Sequence, residues 1–163
     1  RQDGACFRLA AGNYLGFAAV SDFYAGDVIK TRLEAVGAVT SLVGAPPSRI
    51  YKGRTPQNPA YPCIVYKQVS SRRLQGTYND PGYAMVTIQV ISLGSSQDEA
   101  DTVDKQVRLA LERFGSSQPA GIPFAGGTLY DIKPGSSAQG YAPEVDKDFV
   151  TTDYEIHHLE TTP

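Results

Sequence analysis

The stretch at residues 83–115, YAMVTIQVISLGSSQDEADTVDKQVRLALERFG, reads as one strand turning directly into one amphipathic helix. In residues 85–92, Val86, Ile88 and Val90 fall on one face, and Thr87 and Gln89 fall on the other. That period of two is the mark of a half-buried strand. Leu93 and Gly94 end the alternation, and Ser96-Gln97-Asp98-Glu99 follows as a capping box. The Ser96 hydroxyl can accept from the Glu99 amide, and the Glu99 carboxylate can reach back to the Ser96 amide. Asp98, Glu99 and Asp101 set negative charge at the positive end of the helix dipole, with Arg113 near the other end. Ala100, Val103, Val107, Ala110, Leu111 and Phe114 line one face at helical spacing, and Gly115 is a natural stop.

Working outward, Ser21 or Asp22 can cap a helix running to about Val36, with Phe23, Val28, Ile29, Leu33 and Val36 as its core face. Gly37 interrupts it. Val39, Leu42 and Val43 then make one further turn, which Gly44 and Pro46-Pro47 stop. A short extended piece at residues 49–51 leads into a loop, residues 52–62, stiffened by Pro56, Pro59 and Pro62. Residues 63–71 read as a strand. It pairs as an antiparallel hairpin with residues 85–92 through a long polar tip at residues 72–82. Beyond the main helix, residues 115–127 read as a Gly/Pro-rich loop, 128–133 as a short strand and 134–147 as a polar loop. Val150, Thr152, Tyr154, Ile156 and His158 alternate as a last antiparallel strand.

The sum is an α+β domain: an antiparallel sheet of about four to five strands, with two helices packed on one face and the other face uncovered. Thr87, Gln89 and Ile91 lie on that uncovered face. Residues 1–21 read as an N-terminal extension or arm, with a signal peptide as the alternative. The domain spans residues 22–160, and residues 161–163 form a tail.

Composition narrows the classes of function. The 163 residues carry a net charge of −2, so no global basic field is available to grip nucleic acid. Two cysteines, Cys6 and Cys63, do not make a disulfide framework and fit a reduced compartment. No apolar run is long enough to span a bilayer, and no membrane partner is expected.

The chemical inventory is thin. No phosphate-binding loop motif occurs. His157 and His158 are adjacent, so on a strand they point to opposite faces; one is expected near the core and one in solvent, and no metal site is expected. Cys63 follows Pro62 in an apolar strand, where burial makes a thiol inert. Asp98, Glu99, Asp101 and Asp104 crowd one helix, where capping and solvation account for them. No catalytic residue, cofactor or enzyme activity is expected. Arg72 and Arg73, with Lys67 and Arg54, form the best local basic cluster: a solvated hairpin stem, or an ionic contact with an acidic partner or passing DNA.

Several of these runs resemble the tail completion, or tail terminator, proteins of long-tailed phages and phage-derived particles. They are Arg49-Ile50-Tyr51, the proline loop Pro56-Gln57-Asn58-Pro59-Ala60-Tyr61-Pro62, Cys63-Ile64-Val65-Tyr66, and Ser96-Gln97-Asp98-Glu99-Ala100 after the strand at residues 86–92. Val39-Thr40-Ser41-Leu42-Val43-Gly44 matches the end of that family's first helix and turn. The resemblance covers residues 22–159 and leaves the first twenty residues outside the pattern. It implies a structural virion protein, made in the host cytoplasm and placed at the head–tail junction. There a hexameric ring caps the head-proximal end of the tail tube and stops its polymerisation. The implied partners are further copies of the chain, the tail tube protein and the head connector or stopper, with DNA passing through the channel without sequence-specific binding.

A heterologous ring needs two different complementary patches on each copy. The candidates are the face of Thr87, Gln89 and Ile91 against a helix edge that includes Leu109. Arg72, Arg73 and the loop-tip aromatics Tyr78 and Tyr141 are candidate contacts to tube or connector. Another neck ring, or a small α+β ligand-binding domain, is the alternative reading.

Overall fold

Gly94 is where the strand becomes the helix, and the turn leaves no room for a side chain. A Cβ there would lie 2.6 Å from the Ala100 amide nitrogen and 2.8 Å from the Ser96 carbonyl oxygen. The computed structural model describes residues 25–73, 82–112, 114, 121–124 and 127–160. In chain order these form α1 (Ala25–Ala35), α2 (Gly37–Val43), β1 (Ile50–Lys52), β2 (Cys63–Arg73) and β3 (Tyr83–Gly94). They continue as α3 (Gln97–Glu112), β4 (Ile122–Phe124), β5 (Gly127–Ala142) and β6 (Lys147–Glu160). The expected helix cap at Ser21 or Asp22, the core residue Phe23, Arg113, the stop at Gly115 and the loop residue Tyr78 lie outside the described residues.

Among the described residues, six strands form one sheet in the order β1-β2-β3-β6-β5-β4. The α+β class stands, but the expected sheet of four to five antiparallel strands becomes six and mixed. β1 runs parallel to β2, Ile50 beside Ile64, because the proline loop returns the chain to the same end before β2 begins. β4 pairs antiparallel with the start of β5. The expected polar loop at residues 134–147 is instead largely strand: β5 stays paired with β6 out to Ala142–Lys147, leaving a turn at the end of a long hairpin. Its Gly, Ser and Pro residues hid it because they carry no alternation, and register shifts at residues 129–131 and 134–137 break the period further.

Three helices, rather than two, pack on one face. Val36 takes extended backbone (φ −96°, ψ 109°) between α1 and α2 and still caps the second helix, its carbonyl accepting from Thr40 N at 3.1 Å. The core is the expected one: Val86, Ile88 and Val90 of β3 meet Val103, Val107 and Leu111 of α3, with Ile29, Leu33, Val39 and Val43 beside them. Glu99 N donates to Ser96 Oγ at 3.4 Å, but the Glu99 carboxylate reaches the amide of Ser95 (2.6 Å) rather than that of Ser96. At the far end of α3, Arg32 donates to the Ala110 carbonyl and lies 4.8 Å from the centre of the Phe114 ring, so α1 supplies a cation to the negative helix end.

One expectation is corrected here. Asp104 is buried, accepting from Thr152 Oγ1 at 2.9 Å and from Arg108 at 3.4 Å. It stands four residues from Ala100 and three from Val107, which puts it in the inward stripe of α3 and out of solvent.

The two faces of β3 are distinguishable by stability. Ile88→Ala should cost about 3 kcal/mol, since a fully buried side chain is lost and a cavity is left. Thr87→Ala, one residue away on the other face, should cost under about 1 kcal/mol. Urea unfolding of the two variants checks the assignment, and equal losses would contradict it.

Candidate interaction surfaces

No described element covers the second face of the sheet, and that face is divided along its length. At one end Cys63, Val65 and Leu93 form a small apolar cluster with Tyr51, Tyr61, Ile91 and Phe149 against it. Arg49 holds the proline loop beside this cluster. Its guanidinium donates to the carbonyls of Leu42 (2.8 Å), Val43 (2.9 Å) and Tyr61 (2.8 Å), tying the end of α2 to the end of the loop. Lys147 lies 5.2 Å from the centre of the Tyr61 ring, a cation over an aromatic face.

The other end of the face is polar. Gln89 donates to Asp153 Oδ1 at 3.1 Å, and Ser136 donates to the other oxygen of Asp153 at 2.9 Å. Tyr83, His157 and Glu155 form a chain of short contacts, 2.6 Å from the Tyr83 hydroxyl to His157 Nδ1 and 2.5 Å from His157 Nε2 to Glu155. His158 is buried in the opposite direction. The adjacent histidines therefore do face opposite ways, though His157 is half-buried rather than fully in solvent. No cluster of three or more His, Cys, Asp or Glu suited to a metal ion occurs among the described residues. No described helix is long and apolar enough to cross a membrane.

The structure brings only some of the predicted site residues together. Thr87, Gln89 and Ile91 share the uncovered face, each half-buried. Arg72, exposed on β2, pairs in register with Met85 at the edge of that face, and Arg73 pairs with Ala84. Leu109 belongs to the helical layer, 41% exposed. Tyr141 stands at the opposite end of the sheet from Arg72, beside Asp148 on the β5–β6 hairpin. Its hydroxyl donates to Asp146, and that bond, with the charges of Asp146 and Asp148 nearby, pushes its ionisation up.

The sequence reading missed Val69, Tyr130 and Val145, which are large apolar side chains left exposed. Val69 and Tyr130 sit at register shifts, where a bulge turns a side chain away from the face that simple alternation assigns it.

These features define a small α+β domain in which helices cover one face of a six-stranded mixed sheet. The chain belongs to the family described as Tail completion protein gp17, whose model matches residues 27–156. No curated protein matches the sequence. Among solved structures, the fold is similar to that of a chain in the virion of a native gene transfer agent particle. The TM-score is 0.60 at 14% identity, covering 80% of this chain and 91% of that one.

Cys63 offers a direct test of the apolar cluster. Burial pushes its thiol from 9.0 up to about 11, with Arg49 pulling slightly the other way. A Cys6→Ser variant should therefore show no reaction with a thiol reagent at about pH 8 while folded, and one reactive thiol in urea. The folded state holds this proton more tightly than the unfolded chain. Its contribution to stability is therefore complete below 9.0 and is lost as pH rises toward about 11, where the urea midpoint should fall.

Proposed function

We propose that this protein is a structural subunit of a phage-type particle and that copies of it form a ring at the head-proximal end of the tail. The ring caps the tail tube, ends its polymerisation and joins the tail to the head connector. DNA crosses the ring without being read. The observation that carries this reading is membership of the tail completion family across residues 27–156. The subunit acts by fitting against other proteins and transforms no substrate.

The architecture suits a part that is stacked. The stem of the β2–β3 hairpin at Arg72 and Arg73 and the β5–β6 turn beside Tyr141 lie at opposite ends of the sheet. They are therefore available to different neighbours along a tail axis. The uncovered face at Thr87, Gln89 and Ile91, and Leu109 on α3, are available for lateral contacts between copies.

Particles assembled without this protein should contain tails of irregular length that are not attached to heads. Adding the purified protein should restore joining. Electron microscopy of the particles gives both readings, and tails of normal length joined to heads in its absence would overturn the proposal.

A further inference from the structure

β5 leaves the core after Ile132, and residues 133–139 are all exposed, whichever face of the sheet they belong to. β4 pairs with β5 only at residues 127–129, so no described strand lies beside β5 from residue 130 onward on the side away from β6. Along an antiparallel pair, every second residue turns its N–H and C=O away from the partner strand. On this run of β5 those groups meet no described strand.

Open edges are ordinarily guarded by charge, proline, a bulge or a cover. β5 is guarded by Pro134 and by the register shift at residues 134–137, and no further. From Pro134 to Pro143 the chain reads PGSSAQGYAP, without Asp, Glu, Lys or Arg. Within it, residues 137–142 keep unbroken register with β6, from Ser137 beside Thr152 to Ala142 beside Lys147. The polar side chains here are already bonded within the subunit: Ser136 to Asp153, Ser137 to Thr152, Gln139 to Asp101 and Tyr141 to Asp146. What this edge offers a partner is backbone.

We infer that residues 137–142 of β5 receive an extended segment of another particle protein, which adds to the sheet as a further strand and carries a lysine or arginine at the hairpin end. This rests on the function proposed above and gives the neighbour at that end of the sheet its mode of attachment. Recognition is by main-chain bonds, as when an extended segment joins any exposed sheet edge.

The required charge follows from the hairpin end. Residues 144–148 hold Glu144, Asp146 and Asp148, with Lys147 as their only cation. Lys147 is directed over the Tyr61 ring, and neither Glu144 nor Asp148 makes an ion pair among the described residues. Tyr141, 54% exposed, sets an aromatic ring beside them on which the stem of a lysine or arginine can pack. A nucleic acid would meet charge of its own sign here. A second copy fits less well. β2, near the other end of the sheet order, has interactions of its own at Gln68 and Arg73. Antiparallel pairing of β5 with itself would set each hairpin end near Lys133, which Asp131 already holds, and parallel pairing would bring the carboxylates together.

The test compares the full chain free in solution with the same chain in purified particles. Alternate amides of residues 137–142 should exchange hydrogen about tenfold more slowly in particles than in the free subunit. A photoreactive benzoyl-phenylalanine at position 141 should attach, in particles, to another virion protein, at a segment with lysine or arginine within about four residues of the attachment point. Ala138→Lys, which guards the edge, should leave the urea midpoint of the free subunit unchanged and lower its incorporation into particles about tenfold, whereas Ala138→Ser should not. Glu144→Lys with Asp148→Lys should lower incorporation about tenfold as well. Equal exchange in the two states, attachment to a second copy or to DNA, or full incorporation of Ala138→Lys overturns the edge contact, and a ring still seen at the tail end then leaves the ring reading standing. Edge protection by a virion protein in particles whose copies form no ring overturns the ring and leaves the edge contact. A chain absent from the particles ends both.

Discussion

The fold depends on one packing contact: the inward row of β3 against the inward stripe of α3. Val86, Ile88 and Val90 sit at every second residue, and Val103, Val107 and Leu111 recur at helical spacing. The two elements are joined by a turn so tight that Gly94 has no space for a Cβ. The helix can therefore lie only back along its own strand. Once that pair is set, β2 and β6 flank β3, β5 flanks β6, and the other two helices fill the same side. Among the described residues, no element covers the opposite face.

Legibility in the sequence followed this contact outward and faded with distance from it. The β3–α3 unit was readable because period 2 and period 3.6 are each clean there. The inward placement of Asp104 was misread: its charge argued for solvent, although its position falls in the stripe. Its partner Thr152 comes from β6, 48 residues on, and no local pattern announces that pairing. β5 was half-hidden for a different reason. Its far part holds Pro134, Gly135, Ser136, Ser137 and Gly140, residues that make no hydrophobic signal, yet cross-strand bonds to β6 carry it. There, pairing with a neighbouring strand overrode local preference.

Which side chains face outward was legible to the degree that it rests on alternation. Thr87, Gln89 and Ile91 share a face because a strand cannot do otherwise. Leu109 was found as the apolar residue that misses the stripe. Val69 and Tyr130 were not found, since an inserted residue changes which face its neighbours take, and no rule of period 2 locates the insertion. Arg49 escaped too. Its three carbonyl acceptors come from α2 and the proline loop, which only the folded chain brings within reach of one guanidinium.

The division of the uncovered face bears on how such a subunit is used. A face wholly apolar would bury itself against the first surface available and would make the free subunit prone to aggregate. Here the apolar part is confined to the end near Cys63, with Tyr61 and the loop that Arg49 secures beside it. The rest is a grid of bonded polar groups, Gln89 with Asp153 and Ser136, and Tyr83 with His157 and Glu155. Those groups are already satisfied within the subunit, so the face can stand against water without needing a partner.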